Sequence, residues 1–303
     1  MNTLTRATAG LLLLAILIAG GIALIGVGNY GLTVFIAFPV LLGGTVCWVF
    51  RPATRAQAVK LGALAALAAS ASLLLLGREG LICILMALPL AVPLAILGSW
   101  LVFHADAPKR TMRGLGMLVL LPPGLLFDAT AVPPVYQVRT SIVIAAPPEQ
   151  VWRHVVSFPE LPEPREWYFR AGRAYPQRAR IEGSGPGAVR YCDFSTGPFV
   201  EPVAVWDEPR LLRFRVTSCP APMHEWSPYA NVVPKHLHGY LVSKQGQFRL
   251  TPLPNNRTLL EGTSWYQHGL WPAGYWRLWS DAIIHRIHQR VLTHIKKLSE
   301  QSS

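Results

Sequence analysis

The residues best equipped for chemistry crowd into one stretch, Pro220–Tyr240, "PAPMHEWSPYANVVPKHLHGY", which carries His224, Glu225, Trp226, Tyr229, His236 and His238. The run is too long and too rich in proline for a tight hairpin, and loops of that kind are often lids or binding loops. Two readings stand side by side. One is an aromatic lid over a cavity mouth, with polar groups that orient a ligand. The other is an interfacial loop whose Trp and Tyr sit at head-group level. Metal binding through His224, His236 and His238 is not expected, because loop spacing imposes no ligand geometry and no carboxylate pairs with them in sequence.

Asp281, His285 and His288 form a sharper pattern, since Asp-x3-His-x2-His falls in one narrow stripe of a helix. That stripe lies roughly 120° from the centre of the same helix's apolar stripe, so it is expected to face the flank or water. Strand residues supply further acids and bases. Tyr191 and Asp193 share one side of a strand, and Glu201 shares a side with Phe199 and Val203. Glu261 alternates with Leu259, Thr263 and Trp265, while Tyr266 and His268 point the other way. An inward carboxyl or imidazole in an apolar cavity would have a shifted pKa and could act as acid or base. Glu261 and His268 are the candidates for such a role. No Ser-His-Asp or Cys-His arrangement is readable, and "GSGPG" reads as a hairpin turn because no helix or Lys-Ser/Thr pair follows it.

These residues need elements to hold them. "YQVRTSIVI" alternates as a half-buried strand, Pro147-Pro148 stops it, and "EQVWRHVV" puts Val151, Trp152, Val155 and Val156 on one helical side. Strands are predicted over Ala188–Ser195, Phe199–Trp206, Leu211–Cys219, Gln245–Pro252 and Thr258–His268. A long terminal helix follows over about Trp271 to Leu298, with Trp276, Trp279, Ile283, Ile287, Val291, Ile295 and Leu298 as its apolar stripe. Each can bury its apolar face only against the other, which predicts an α+β domain in which a curved antiparallel sheet wraps a helix.

The first 135 residues read differently. Apolar runs at 9–27, 32–50, 61–76 and 81–103 are long enough to cross a bilayer, or nearly so, and a fifth at 115–135 carries four prolines. The Ala-rich third run is expected to pack between its neighbours. Arg6, then Arg51, Arg55 and Lys60, then Lys109, Arg110 and Arg113 alternate with loops of no net charge, which places the amino terminus and both basic loops in the cytoplasm. Arg6 before the first run fits an uncleaved signal anchor. With five spans the domain from 136 onward lies outside the cytoplasm of a bacterial-type inner membrane; with four it lies within. Five spans is the expectation.

Composition narrows the function classes. Of the formal charge of +12, +5 falls before Tyr136 and +7 after it, in singly scattered arginines and lysines with no basic stripe or recognised motif. No nucleic-acid partner is expected; attraction to an anionic lipid surface is compatible. The first four runs hold no charge at mid-span, which argues against an ion or proton pathway. Four cysteines are too few for a disulfide framework. Cys47 and Cys83 read as buried small hydrophobes, and a Cys192–Cys219 bridge is possible but not implied.

The strand, "SIVIAAPPEQVWRHVVSFPEL", the antiparallel run and the terminal helix resemble the START-like (SRPBCC) superfamily, including its polyketide cyclase/dehydrase-like members, over roughly Tyr136–Gln301. The resemblance implies a helix-grip fold with an apolar cavity between sheet and helix. It implies binding of a hydrophobic or amphipathic, lipid-like molecule. The residues themselves suggest no metal, since no Cys/His spacing fits zinc, and no cofactor is expected. Trp152, Trp167, Tyr191, Phe194, Phe199 and Phe214 are then expected around the ligand, with His224, Trp226 and His238 from the loop. Trp265, Tyr266, Trp279 and Ile283 complete the set. Alternatives are a cyclase or dehydratase acting on a polyketide-like or isoprenoid substrate, and a structural partner of another membrane protein.

Overall fold

The computed structural model describes residues 3–105, 116–229 and 234–301. Arg6 as a side chain, the basic cluster Lys109, Arg110 and Arg113, and the expected start of the fifth run at Leu115 lie outside the described residues. The chain resolves into two compact units. A helical unit takes in Met1–Val132 together with Glu225–His236 and Gly269–Pro272; the second unit takes in Pro133–His224, Leu237–His268 and Ala273–Ser303.

Four helices of the first unit are long and apolar enough to cross a membrane. They are α1 (Thr3–Val27), α2 (Phe38–Phe50, led by a π-helical turn at Thr33–Ala37), α3 (Arg55–Leu75) and α4 (Leu81–Phe103). The third starts at Arg55, ahead of its apolar run, because Thr54 and Gln57 cap it reciprocally. Thr54 Oγ1 accepts from the Gln57 amide at 3.2 Å, and Gln57 Oε1 accepts from the Thr54 amide at 3.2 Å. The central helix is α2 and not the Ala-rich third. Its apolar window is 61% buried, against 17% for each of the other three. Glycine sets that packing, since a Cβ on Gly43 or Gly98 would fall within 2.0 Å of the Ala95 or Val40 carbonyl oxygen on the facing helix. A shorter apolar helix, α5 (Leu121–Thr130), follows a 3-10 turn at Met117–Leu120.

The second unit is a curled, seven-stranded antiparallel sheet in the order β1-β7-β6-β5-β4-β3-β2, with a long C-terminal helix. Its strands are β1 (Val135–Ile144), β2 (Pro176–Glu182), β3 (Val189–Phe194), β4 (Gly197–Asp207), β5 (Leu211–Arg215), β6 (Leu241–Leu253) and β7 (Arg257–His268). Between β1 and β2 lie α6 (Pro148–Val156) and the single turn α7 (Trp167–Arg170); the terminal helix is α8 (Ala273–Gln301). From β2 onward each strand pairs with the next, and β1 closes the far edge on β7. Asn255 and Asn256 both take positive φ, 62° and 54°, in the three-residue connection between β6 and β7, a conformation that asparagine adopts more readily than most residues. Val291, Leu292 and Ile295 of α8 pack with Ile144, Val151, Val155, Leu212 and Leu260 in one core cluster. That core occupies the C-terminal half of α8, and the space beside its middle turns is open.

Candidate functional site

Along β7 the even-numbered residues turn inward, and their neighbours in register do the same. Gly246 faces Phe214 on one side and Ser264 on the other, Phe248 faces Gly262, and Arg190 faces Glu201. Glycine at 246 is a packing requirement, because a Cβ there would meet the Phe214 ring at 2.5 Å. These residues and one side of α8 enclose a cavity of about 150 Å³. Phe194, Phe199, Phe214 and Phe248 form the sheet wall, and Ile283, Ile284, Ile287, His288 and Val291 form the helix wall. Ala174, Pro220–Pro222 and Leu241 also line it.

The polar groups of this cavity are few and placed. His288 was expected on a solvated flank; its ring instead lines the cavity. Its Nε2 lies 2.8 Å from Ser264 Oγ and its Nδ1 3.1 Å from Thr140 Oγ1, and that hydroxyl also meets His285 Nδ1 at 2.8 Å. Burial, with a smaller push from His285, brings the His288 pKa down to about 4, so the ring is neutral at pH 7. The physical reason is tertiary. β1 and β7 present Thr140 and Ser264 to α8, and these hydroxyls satisfy an imidazole on a face that apolar periodicity alone marks as exposed. Asp281, in the same stripe, accepts from Tyr266 Oη at 2.5 Å and from Arg277 Nε at 3.0 Å, outside the cavity lining.

Arg190 and Glu201 form a buried ion pair in the opposite wall. The Arg190 guanidinium also donates to the Val156 carbonyl at 3.3 Å and lies 5.4–5.7 Å from the ring centres of Phe158, Phe214 and Phe248. Burial pushes the Glu201 carboxyl up while Arg190 pulls it back. Beside them, burial pushes the Cys192 thiol up to about 12, which leaves it protonated and unreactive. Cys192 and Cys219 are both free thiols.

Of the residues expected around a ligand, Phe194, Phe199, Phe214, Tyr266 and Ile283 come together in this lining. Others go elsewhere. Trp152 is buried edge-on against Trp206 (centroids 5.6 Å apart, 83°), Trp167 is 76% exposed, and Tyr191 stacks under Arg180 at 4.1 Å. Trp265 and Glu261 lie on the odd-numbered face of β7, where Glu261 meets Arg139 at 3.7 Å. Trp279 is half-buried on α8, and His224 and His238 are exposed. His268 is buried and stacks on Tyr136 at 5.3 Å. The long loop is split between the two units. Its start, Pro220–Pro222, lines the cavity, while Glu225–His236, with Trp226 and Tyr229 exposed, belongs to the helical unit. Sequence reasoning passed over Arg190 and Ser264 and put His288 on the flank; only the pairing register and the helix rotation bring them inward.

Residues 136–269 match the protein family described as polyketide cyclase / dehydrase and lipid transport. This segment is an SRPBCC domain. Among solved structures the chain is similar to a norcoclaurine synthase point mutant from Thalictrum flavum in complex with a transition-state analogue (12% identity, 57% of this chain and 100% of that one, TM-score 0.37). It is also similar to the Zhui aromatase/cyclase from Streptomyces sp. R1128 (17% identity, 55% and 95%, TM-score 0.33) and to a protein from Nitrosospira multiformis (16% identity, 54% and 94%, TM-score 0.34). Comparison with curated proteins gives no match. The SRPBCC domain follows in sequence a helical region with four long apolar helices, and its cavity offers shape, aromatic contact and a few hydroxyl and imidazole groups.

Proposed function

We propose that this chain is a membrane-anchored SRPBCC protein that holds a compact hydrophobic or amphipathic ligand between its sheet and its terminal helix. The observation that carries this reading is the unfilled, phenylalanine- and isoleucine-walled space of about 150 Å³. Apolar cavities of about that size take one benzene-sized ring, so the ligand is a ring-sized molecule or a lipid-like one that inserts only part of its length. Ser264 of the sheet and His288 of the helix, 2.8 Å apart, offer it hydrogen-bonding groups. Anchoring keeps the binder where a poorly soluble ligand is concentrated.

Five crossings and an extracytoplasmic domain are part of the same reading. Within the helical unit, Asp128 near the end of α5 accepts from the amides of Leu32 and Thr33 at 2.6 and 3.0 Å, and Met117 at its other end reaches Gly44 of α2. The fifth segment thus runs antiparallel along α2. Segments Glu225–His236 and Gly269–Pro272 meet the same end of the helices, through Trp226 O to Leu81 N (2.8 Å) and Trp271 N to Tyr30 O (3.1 Å). Arg51, Arg55 and Lys60 mark the opposite, cytoplasmic end.

Mass spectrometry of small molecules retained by the full chain in detergent tests the binding role, with Ile287→Trp as a cavity-filled control. A hydrophobic molecule retained by the wild type and lost from the variant is expected; identical extracts from both reject the reading.

A second reading, acid/base chemistry on the bound molecule, is favoured by one feature: a neutral imidazole, His288, at the cavity wall. Conversion of the retained molecule by wild type but not by His288→Gln, with retention equal in both, distinguishes it.

A further inference from the structure

A separate cluster of ligating side chains lies within the helical unit and takes no part in the cavity. We propose that Cys83, His236 and Glu225 bind one zinc-class divalent metal ion. Their ligand atoms, a thiol sulfur, an imidazole nitrogen and a carboxylate oxygen, all lie within 4.8 Å of one another. Zinc accepts this mixed donor set, with a fourth position left for water.

The contacts favour a metal over a casual cluster. Cys83 Sγ lies 2.7 Å from His236 Nε2. A tetrahedral ion with bonds of ~2.3 Å to sulfur and ~2.0 Å to nitrogen holds those atoms about 3.5 Å apart, so the pair opens by less than about 1 Å to admit it. On the far side of the ring, His236 Nδ1 is buried without a hydrogen bond and faces Glu79 Oε2 at 3.5 Å; Tyr30 Oη donates to Glu79 Oε1 at 2.6 Å. A carboxylate behind a histidine is the arrangement that holds the proton on one ring nitrogen and presents the other to a metal.

Glu225 is equally fixed. Its two oxygens accept from the Ile82 and Cys83 amides at 3.0 and 3.1 Å in the first turn of α4, and each keeps a further lone pair. Glycine at 80 admits it, because a Cβ there would sit 2.2 Å from the carboxylate. Among the described residues no lysine or arginine forms a salt bridge with Glu79 or Glu225. A divalent cation supplies the missing positive charge and ties the segment Glu225–His236 to the start of α4.

Cobalt(II) titration of the untagged full chain in detergent, as a spectroscopic stand-in for zinc, is the test. One cobalt per chain is expected, with a thiolate-to-cobalt charge-transfer band that zinc abolishes. Cys83→Ser removes the band, His236→Ala and Glu225→Gln each weaken binding at least ~10-fold, and Glu79→Gln weakens it ~10–100-fold while keeping the band. A wild-type chain without stoichiometric cobalt, or a band that survives Cys83→Ser, overturns the proposal. If a variant fails to fold, alkylation of the wild type decides. Zinc is expected to protect Cys83, and equal modification with and without zinc overturns the site.

Discussion

Arg190 of β3 and Glu201 of β4 face each other in register, both buried, and the guanidinium donates to the carboxylate inside an otherwise aromatic wall. Removing one partner leaves the other charge buried and unpaired, so Glu201→Leu or Arg190→Met alone is expected to destabilise the protein by about 3–5 kcal/mol. The double replacement is expected to recover most of that loss, because the desolvation penalty disappears with both charges. Thermal and denaturant unfolding of the three variants checks this; a double variant as unstable as the singles contradicts it.

His288 makes stability depend on pH in a defined direction. Its pKa is about 4 in the folded state and near 6.5 unfolded. Below pH 6.5 the unfolded chain takes up a proton that the folded chain refuses, so stability is full above 6.5 and is lost as pH falls toward 4. Between pH 7.5 and pH 5 the loss from this residue is about 2 kcal/mol. The difference between wild type and His288→Gln isolates it. Elsewhere His236, also lowered to about 4, acts in the same direction, and Glu79, raised to about 7, acts in the opposite one. A difference that does not change with pH refutes the assignment.

Gly246 is the opening through which Phe214 reaches its place over β6. Gly246→Ala forces the ring into the cavity and is expected to cost about 1–3 kcal/mol from overpacking, with a matching loss of ligand retention. Calorimetry and the retention assay read the two effects. Unchanged stability means the sheet yields instead.

Cysteine labelling tests the orientation. Ser184→Cys, in the β2–β3 turn, is expected to react with a membrane-impermeant maleimide in intact cells, and Ala53→Cys, between α2 and α3, only after lysis. If both cysteines react only after lysis, the SRPBCC domain lies in the cytoplasm and the fifth crossing is removed; the reverse pattern inverts the orientation of the whole chain.

Legibility followed the strength of periodic signals. β7 and the terminal helix stood out because long alternating and helical apolar patterns are hard to produce otherwise. β2 did not: Gln177, Arg178, Arg180 and Glu182 interrupt "PQRARIE", and as an edge strand it buries only Pro176 and Ala179. Trp152 and Trp265 were assigned to the ligand for their aromatic type alone, and type does not say which face of an element a side chain occupies.

What could be read from residue order is the part that rests on local physics: apolar runs long enough for a bilayer, a change to strand period at Tyr136, turns at glycine and Asn-Asn, and one amphipathic terminal helix. The cavity and the Cys83–His236–Glu225 cluster depend on distant partners, because Glu225 and His236 lie more than 140 residues from Cys83 along the chain. His288 turns inward only because β1 and β7 bring Thr140 and Ser264 to it. Polar side chains take their place from the hydrogen-bond partners that folding delivers, and no local pattern encodes those.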